Sequence, residues 1–292
     1  MTKGRASCLR SDASRFVDRS GFRFHVQVMG VGPPLWLLHG TGASSQSFRA
    51  LMPRLSPHFT IVAPDLPGQG LSRAPSSFVP SPERMADALD ELRLEFGPPE
   101  VVVGHSAGVA VLVELVRRGA LAPRRLFGLA AALQPFSGPA GWLLPKAARW
   151  LSRSTLLPHV LAHRLSQPRR VDELLRGTGS SIGREHVDVY RALLSRPPHV
   201  VAVLSMMAHW NITRVCAALP HLSVPVTLVA GAQDLAVPVA QLHALKRRMP
   251  CSELHVIEGA GHLVHEERPR AVAKVILGSS RLEVTSCPTT TA

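Results

Sequence analysis

The pentapeptide GHSAG at residues 104–108 constrains the fold of this 292-residue chain more than any other feature. Three valines, residues 101–103, precede it, and a helix-forming stretch, residues 109–118, follows it. A strand, the pattern Gly-x-Ser-x-Gly and a helix are together typical of a nucleophile elbow, a sharp turn that exposes a serine hydroxyl. The two glycines carry no side chain that would hold the strand and the helix apart. We therefore predict that Ser106 is a catalytic nucleophile at the end of a strand.

Two downstream residues, Asp234 and His262, have the order and placement that a serine nucleophile requires. The base and its orienting carboxylate should follow the serine in the order Ser, Asp, His. Asp234 lies just after the apolar run 226–230, and His262 follows the run 253–257 through a glycine-rich loop. All three residues would lie at the carboxyl ends of strands, where ligands bind in open α/β sheets. We predict that His262 is the general base and then acid, and that Asp234 orients its imidazole.

Three other polar residues compete for these roles. Glu258 is near His262 in sequence, but it follows its strand too closely to reach round, so we rank it below Asp234. Asp65 follows an earlier strand and is expected to fix a turn. His265 lies three residues after His262 with no cysteine or third histidine at ligand spacing, which favours a helix-start histidine over a metal pair. The sequence therefore predicts no metal site and no cofactor.

The loop after the apolar run 35–38 is expected to supply part of an oxyanion hole. One backbone N–H should come from Ala107, directly after the nucleophile, and the other from Thr41, with Gly42 as the alternative.

A substrate pocket is expected beside Ser106, lined by His39, His105, Met206, Met207 and Trp210. For Met206, Met207 and Trp210, the competing interpretation is that they only pack against the core.

Strand and helix patterns alternate along most of the chain, as in a mainly parallel, doubly wound α/β sheet with helices on both faces. The expected strands are residues 22–28, 35–38, 60–63, 101–103, 126–130, 226–230 and 253–257. The expected helices are residues 47–55, 81–96, 109–118, 238–249 and 267–277.

This alternation stops between residues 134 and 219, where helical and turn patterns occur without a convincing strand. An insertion at this point predicts a helical cap, residues 134–219, above Ser106. We expect residues 21–133 and 220–278 to form the α/β core. Residues 1–20 are expected to be a flexible leader and residues 279–292 a flexible tail.

The composition excludes several classes of protein. The formal net charge is +13, but only four of the 33 basic residues are lysine, and no nucleic-acid module or aromatic-interleaved basic stripe is present. We therefore expect no nucleic-acid partner, whereas attraction to anionic membranes or to substrate carboxylates stays open. The start of the chain lacks an apolar signal segment, and the four cysteines are too dispersed for a disulfide frame. Both features indicate a cytoplasmic protein.

Two apolar stretches raise the question of membrane contact. Residues 126–145 carry no charge, but prolines and glycines interrupt them, so we predict no transmembrane segment. The basic and aromatic stretch 142–150 is amphipathic, which is compatible with peripheral contact at a membrane surface.

Five blocks of the sequence resemble the α/β-hydrolase superfamily. One departure from the family pattern is Gln69, where many relatives carry a histidine in Pro-Gly-His-Gly. The resemblance implies an α/β-hydrolase fold with a Ser-Asp-His triad, and it says little about the substrate. The blocks are LLHGTGAS (37–44), VAPDLPGQG (62–70), VVGHSAG (102–108), LVAGAQDLAVP (228–238) and GAGHLVHEERP (259–269).

Further blocks are similar to one subfamily, the magnesium-chelatase accessory proteins of bacteriochlorophyll biosynthesis in photosynthetic bacteria. This resemblance implies a role at or beside magnesium insertion into protoporphyrin IX. A tetrapyrrole would be the ligand, magnesium-chelatase subunits the partners, and the periphery of photosynthetic membranes the location. The blocks are HGTGASSQSFRALMP (39–53), LRGTGSSIG (175–183) and SRPPHVVAVLSMMAHWNI (195–212).

The residues and the resemblance lead to two compatible hypotheses. The residues alone predict a serine hydrolase of a small apolar substrate: a carboxylesterase, a thioesterase, an amidase or a C–C bond hydrolase. Serine at the elbow argues against haloalkane dehalogenase and epoxide hydrolase chemistry, which uses aspartate there, while cofactor-free perhydrolase activity stays open. The resemblance predicts a pathway accessory protein. A non-catalytic scaffold ranks last, since all three candidate residues are intact.

Overall fold

The computed structural model describes residues 7–135, 147–148, 151, 154 and 156–281. Eight strands form one sheet: β1 (Ser14–Arg19), β2 (Phe22–Met29), β3 (Pro34–Leu38), β4 (Thr60–Pro64), β5 (Val101–His105), β6 (Arg125–Leu129), β7 (Val226–Gly231) and β8 (Ser252–Ile257). Their order across the sheet is β1-β2-β4-β3-β5-β6-β7-β8. β1 pairs antiparallel with β2, and β2 with β4, while every other neighbouring pair is parallel.

Helices occupy the connections between the parallel strands, as the sequence pattern predicts. Within the described residues the α-helices are α1 (Met52–Leu55), α2 (Pro82–Asp90), α3 (Arg93–Phe96), α4 (Ala107–Arg117), α5 (Leu157–Leu165), α6 (Pro168–Arg176), α7 (Arg184–Leu194), α8 (Pro197–His209), α9 (Thr213–Ala218), α10 (Val239–Arg248), α11 (Val264–Glu267) and α12 (Pro269–Arg281). Short 3-10 helices lie at Ser7–Leu9, Ser45–Phe48 and Leu219–His221.

The central strands are buried on both faces, which explains their continuous apolar sequences. In β3, Trp36 and Leu38 pack into the larger core cluster, while Leu35 and Leu37 pack into the cluster on the opposite face. Successive side chains of a strand point to opposite faces, so each of these four residues is buried in one of two cores. Because side chains are buried on both faces, a shift of β3 along its neighbours would move them out of their cores. The register is therefore fixed, and so is the position of the sheet edge where the parallel strands end.

All seven expected strands are present, with ends that differ by one or two residues. The expected flexible leader is wrong over Ser14–Arg19, which form β1 and pair with β2, Ser14 opposite Gln27. The sequence SRFVDR conceals this strand because an edge strand keeps one side in solvent. None of its residues is buried: Arg15 and Asp18 are exposed and the other four are half-buried, without a regular alternation.

Three of the expected helices, 47–55, 81–96 and 267–277, are interrupted, and the last of them has an identifiable cause. The expected helix 267–277 is α12, which begins only at Pro269 and runs to Arg281, into the expected tail. Arg268 before it has φ −131° and ψ 54°, outside the helical region. A residue that precedes proline is disfavoured in the helical region, so α11 and α12 are separate helices.

The segment between β6 and β7 holds α5 to α9, and the described part of it contains no strand. Of the basic aromatic stretch 142–150, only residues 147 and 148 lie within the described residues, so its proposed membrane contact falls outside them. Within the described residues, no helix alone combines the length and apolar composition needed to cross a bilayer. The helices Pro197–His209 and Thr213–His221, bent by 59°, meet that test only as a pair.

Cys251, next to the start of β8, is disulfide-bonded. Cys8 and Cys216 are not disulfide-bonded, so Cys251 adds a single bridge and does not make the frame of several bridges that the sequence argues against. Spacing along the sequence shows which cysteines are adjacent in the chain, but it does not show which thiols meet in the fold.

Candidate active site

Ser106 lies in the turn between β5 and α4, and its backbone is strained. Its φ of 52° and ψ of −118° fall outside the regions that residues with a side chain normally adopt. Such strain costs roughly 1–3 kcal/mol and persists only where the surrounding structure holds it. The Ser106 N–H donates to the Leu129 carbonyl at 2.9 Å, and the Ser106 carbonyl accepts from the Val109 N–H at 3.2 Å. Ser106 is therefore held between β5 and α4, as the GHSAG pattern predicts.

Close packing around this turn explains its two glycines. A Cβ atom on Gly104 would lie 2.7 Å from the Val109 nitrogen, and a Cβ atom on Gly108 would overlap the Leu38 carbonyl oxygen. Both neighbours are backbone atoms, which cannot move without shifting α4 or β3. Glycine at both positions therefore lets the start of α4 approach β3 and β5 closely.

His262 and Asp234 lie beside Ser106 in the structure. His262 Nε2 is 3.1 Å from Ser106 Oγ, and His262 Nδ1 is 2.9 Å from Asp234 Oδ2. Asp234 follows β7 and His262 follows β8, and these parallel strands lie on the same side of β5 in the sheet. Since parallel strands end at one edge, the fold brings three distant residues into one hydrogen-bonded group.

The partners of the His262 ring indicate which nitrogen carries the proton. Asp234 is 4% exposed, and its Oδ1 accepts the backbone N–H groups of Ala236 and Val237 at 2.8 and 2.7 Å. An ionised carboxylate only accepts hydrogen bonds, so His262 Nδ1 donates to Asp234 Oδ2. In the neutral ring, Nε2 is then an acceptor that faces the hydroxyl of Ser106. The competing carboxylate, Glu258, is exposed.

His105 supports the loop that carries His262. Its Nε2 donates to the His262 carbonyl at 3.0 Å, and its ring lies 4.9 Å from the His262 ring. Burial, and then the neighbouring His265 and His262, keep the pKa of His105 well below its ordinary 6.5, so the neutral ring is favoured. We assign His105 to positioning His262, which corrects the expectation that it lines the pocket.

His39 is fully buried and holds its own loop in place. Its Nδ1 donates to the Gly40 carbonyl at 2.8 Å, and its Nε2 accepts the Leu66 N–H at 2.9 Å. Burial lowers the pKa of His39, which favours the neutral ring that this pattern needs. Both ring nitrogens are occupied by backbone groups, so the expectation that His39 lines the pocket is also corrected.

The loop after β3 contains both expected candidates for the second oxyanion donor. The Gly42 N–H donates to Gln69 Oε1 at 2.9 Å, so this donor is already used. Within the described part of the chain, no backbone or side-chain acceptor engages the Thr41 N–H. Ala107 is the first residue of α4, where helical N–H groups have no acceptor inside the helix. These contacts favour Thr41 over Gly42 as the partner of Ala107.

Gln69 is the residue of this site that sequence reasoning missed. It is fully buried, and besides the bond to Gly42 its Nε2 lies 3.0 Å from Met206 Sδ. Its position in the Pro-Gly-Gln-Gly turn suggested only a structural variant of a family pattern. Gln69 could have been recognised as a long polar side chain in a turn beside the Thr41 loop. Because a buried amide needs hydrogen-bond partners, such a side chain is expected to bond a neighbouring loop.

The three expected pocket residues on and after α8 have different surroundings. Met206 is 1% exposed, and its sulfur lies 3.6 Å from Thr41 Oγ1. Trp210 is half-buried and packs against the larger core cluster, as the competing interpretation states. Met207 is half-buried. Of the three, Met206 is the one in contact with the Thr41 loop.

His265 lies at the start of a helix, as predicted, and it is fully buried. It is the second residue of α11, and its ring lies 4.5 Å from the His105 ring and 4.9 Å from the Phe48 ring. Burial, helped by His262 and His186, lowers its pKa to about 3. Among the described residues, no three His, Cys, Asp or Glu side chains are grouped as a metal site would require.

A family model described as Alpha/beta hydrolase family matches residues 37–275 of the chain. The chain belongs to the α/β hydrolase family. The matched region contains Ser106, Asp234 and His262 together with the Thr41 loop, so the strained serine turn lies in the part of the chain that the family shares.

Two relatives and one solved structure illustrate the range of this family. The magnesium-chelatase 30 kDa subunit of Rhodobacter capsulatus is 37% identical over 247 residues, 84% of this chain and 86% of the relative. A pimeloyl-[acyl-carrier protein] methyl ester esterase of Xanthomonas oryzae pv. oryzae is 30% identical over 246 residues, 82% of this chain and 91% of the relative. These similarities confirm the resemblance that the sequence blocks indicate.

The solved structure supports the fold. An α/β hydrolase fold protein from Burkholderia ambifaria matches with a TM-score of 0.77 at 24% identity, over 92% of this chain and 98% of that chain. At this identity the likeness shows the fold alone. It confirms the predicted α/β-hydrolase architecture of the chain.

Proposed function

We propose that this protein is a serine hydrolase of carboxylic esters with Ser106 as its nucleophile. One observation carries the proposal: His262 Nε2 lies 3.1 Å from Ser106 Oγ, while buried Asp234 accepts a hydrogen bond from the Nδ1–H group of the same ring. A serine hydroxyl becomes a nucleophile when a neighbouring base removes its proton during attack, and a carboxylate behind the base stabilises the imidazolium. The strained turn at Ser106 is the second feature in favour of a catalytic role.

The proposed reaction proceeds by acyl transfer. Ser106 Oγ attacks the ester carbonyl carbon while its proton passes to His262 Nε2, and the oxyanion accepts the N–H groups of Thr41 and Ala107. The tetrahedral intermediate expels the alcohol, which takes the proton from His262. A water molecule then attacks the acyl-enzyme in the same way, so that the acid is released and Ser106 recovers its proton.

Esters are the substrate class best supported among the possible acyl donors. A methyl ester esterase is 30% identical to this chain over 82% of its length. Thioester, amide and C–C bond hydrolysis and cofactor-free perhydrolysis would use the same Ser106, His262 and Asp234, and they are the alternatives. In this proposal residues 134–219 form a cap above Ser106, with Met206, Met207 and Trp210 toward an apolar substrate.

Rates of ester hydrolysis by the purified protein test this proposal. Wild type is expected to hydrolyse p-nitrophenyl butyrate, and Ser106→Ala to lose this activity while keeping the same circular dichroism spectrum and melting temperature. Ser205→Ala is a matched control on another helix, and it should retain the wild-type rate. Equal rates for wild type and Ser106→Ala would overturn the proposal.

We propose as a second function that the protein acts beside magnesium chelatase in bacteriochlorophyll biosynthesis. The 37% identity to a magnesium-chelatase subunit over 84% of this chain favours it. The protein would then assist magnesium insertion into protoporphyrin IX, with the tetrapyrrole or chelatase subunits as partners at the periphery of photosynthetic membranes. This role is compatible with ester hydrolysis, because an accessory protein can contribute a reaction of its own.

Genetic complementation separates the two functions. In a photosynthetic bacterium that lacks its own copy of the corresponding gene, wild type is expected to restore pigment synthesis. Failure of Ser106→Ala to restore it would join the hydrolase chemistry to the pathway role, and full restoration would separate them. No restoration by wild type would contradict the second function and would leave the ester assay to decide the first.

A further inference from the structure

A cavity of about 730 Å³ lies between the loop that follows β4 and helix α8. Its volume is in the range of sites that hold small molecules. Among the described residues that line it, none belongs to the group of Ser106, His262 and Asp234 or to the Thr41 loop. The cavity therefore lies outside the candidate active site but borders it, because His199, which lines the cavity, contacts the Gly42 carbonyl of the Thr41 loop at 3.3 Å.

Helix α8 separates the cavity from the Thr41 loop. Val203 approaches Gly42, and Met206 contacts Thr41 and Gln69, so this face of α8 is directed at the loop. Ala202 and Ser205, on the neighbouring face, line the cavity. At 3.6 residues per turn, the mean direction of Val203 and Met206 is turned by about 100° from that of Ala202 and Ser205. Ala202 and Met206, four positions apart, lie at the boundary between the two faces.

The ionisable side chains that line the cavity are cationic or neutral, and the nearest carboxylate, Asp65, lies behind Gly70. Arg73 and Arg196 line it, and none of the described lining residues is a carboxylate. Within the described residues, neither guanidinium forms an ion pair with an Asp or Glu. His199 also lines the cavity, and burial first, with nearby Arg196 contributing, lowers its pKa to about 4, so it is neutral at pH 7.

Arg196 is the more buried of the two arginines that line the cavity. Its side chain is partly buried, and its Nε is buried without a hydrogen-bond partner. An unsatisfied buried donor costs about 1–3 kcal/mol, more when the group is charged. Because Nε itself is inaccessible, an anion in the cavity would meet the terminal nitrogens of Arg196 instead, and it would bring a negative charge to two arginines that form no ion pair among the described residues.

The rest of the wall is largely apolar. Phe78, Pro75, Val201 and Ala202 contribute hydrocarbon surface, and the hydroxyl of Ser205 adds one polar group. An apolar wall with a few placed polar groups is the usual composition of a small-molecule site. A ligand that fits both the wall and the arginines would join an apolar body to one anionic group.

We propose that this cavity binds a small apolar carboxylic acid, whose carboxylate is held by Arg196 with Arg73. The guanidinium of Arg196 presents a planar set of donors that matches a carboxylate in two parallel hydrogen bonds. The apolar body lies against Phe78 and α8. The site does not depend on any reaction at Ser106.

Fluorescence titration with 1-pyrenebutyrate and its neutral analogue 1-pyrenebutanol tests the proposal on the full chain. Wild type is expected to bind the carboxylate about tenfold more tightly than the alcohol, the effect of one charge-assisted contact. Arg196→Gln should remove most of this preference and leave the affinity for the alcohol unchanged. Arg184→Gln, which removes an exposed arginine of α7, is the matched control and should keep the wild-type preference.

A second variant locates the bound probe. Ser76 lies on the exposed loop that lines the cavity, so Ser76→Phe should fill space there without disturbing the core. It is expected to weaken both probes, whereas Ser106→Ala should change neither. The proposal would be overturned if wild type bound the two probes equally well. It would also be overturned if Arg184→Gln lost the preference for the carboxylate as Arg196→Gln does, or if Ser76→Phe bound both probes as wild type does. If the protein hydrolyses no ester but binds the two probes as expected, the proposed hydrolase function is contradicted and the carboxylate site is not.

Discussion

Two Ser···His···Asp chains of hydrogen bonds are present in the described residues, and the serines at their ends have different surroundings. In the first, His262 lies 3.1 Å from Ser106 Oγ and 2.9 Å from Asp234. In the second, His25 Nε2 lies 2.9 Å from Ser14 Oγ, and His25 Nδ1 lies 2.8 Å from Asp65 Oδ2. The distances alone do not distinguish them.

The carboxylate ends of the two chains are also alike. Asp234 accepts two backbone N–H groups besides the His262 ring. Asp65 likewise accepts the N–H groups of Ser45 and Leu71 besides the His25 ring. A buried carboxylate with three donors is therefore a general way to stabilise a charge in this fold, and it does not mark a catalytic site.

The serine ends differ. Ser14 begins strand β1, and its Oγ accepts the Ser11 N–H at 3.0 Å, so a local turn already uses this oxygen. Ser106 has a left-handed φ of 52° and precedes the free N–H groups of α4. The comparison teaches that the two chains differ in the backbone around the serine rather than in the hydrogen bonds behind it, and the proposal of Ser106 as the nucleophile rests on this difference.

The largest expected effect separates the two serines. Ser106→Ala should lower kcat for ester hydrolysis by about 10⁴-fold or more, because removing the nucleophile of a serine triad has a cost of this order. Ser14→Ala should leave kcat within about twofold, because its hydroxyl lies in a structural network. Steady-state kinetics on p-nitrophenyl butyrate measure both, and a comparable loss in the two variants would contradict the distinction.

Substitution of the two carboxylates is expected to have different effects: loss of activity at Asp234 and loss of stability at Asp65. Asp234→Asn is expected to lower kcat by about 10⁴-fold with the fold retained, because an amide favours the wrong tautomer of His262. Asp65→Asn should leave kcat within about threefold, but lower the free energy of unfolding by about 3 kcal/mol through weaker charged hydrogen bonds. Kinetics and urea unfolding of both variants check this, and the opposite pattern would reverse the assignment of the two chains.

Acid stability should depend on Asp65. Burial opposes its charge, but hydrogen bonds from His25 and Leu71 and the nearby His39 outweigh burial and lower the pKa of Asp65 from 3.8 to about 2. A lowered pKa stabilises the folded state fully above about pH 4, and this contribution is lost as the pH falls towards about 2. Wild type should therefore lose about 2 kcal/mol more than Asp65→Asn over that interval.

Urea unfolding of the two proteins at about pH 5 and about pH 2 measures this difference. Asp234→Asn is the matched control, because it keeps Asp65 and should follow wild type. Parallel losses in wild type and Asp65→Asn would show that Asp65 does not carry the acid dependence.

The smallest expected effect concerns two buried glutamines. Gln69→Leu should lower kcat about tenfold, because the Gly42 N–H loses its acceptor and the Thr41 loop is held less firmly. Gln27, which bonds Ser11 and Ser45 in the other network, is the matched control. Gln27→Leu should lower the free energy of unfolding about as much as Gln69→Leu does, but it should leave kcat unchanged. Equal effects on kcat would show that Gln69 has no special link to the Thr41 loop.

The sequence predicted the strands and the three candidate catalytic residues because both depend on local pattern. Apolar runs marked the buried strands, and Ser106, Asp234 and His262 each follow such a run. Residues at the ends of parallel strands meet at one edge of the sheet, so their proximity follows from order alone.

Partners across loops were not predictable in the same way. The bond of Gln69 to Gly42 and that of His105 to the His262 carbonyl join residues far apart in the chain. Local pattern places a side chain relative to its own strand, but it does not show which loop that side chain meets. Histidines beside a motif were therefore assigned to a pocket, whereas the fold uses His39 and His105 to hold loops.

The most direct test of the account is covalent labelling with a fluorophosphonate, followed by mass spectrometry of peptides. The account predicts one adduct, on the peptide that carries Ser106, formed by wild type and Ser14→Ala and absent from Ser106→Ala. An adduct on the peptide that carries Ser14, or no adduct on folded wild type, would contradict the claim that Ser106 alone is the activated serine.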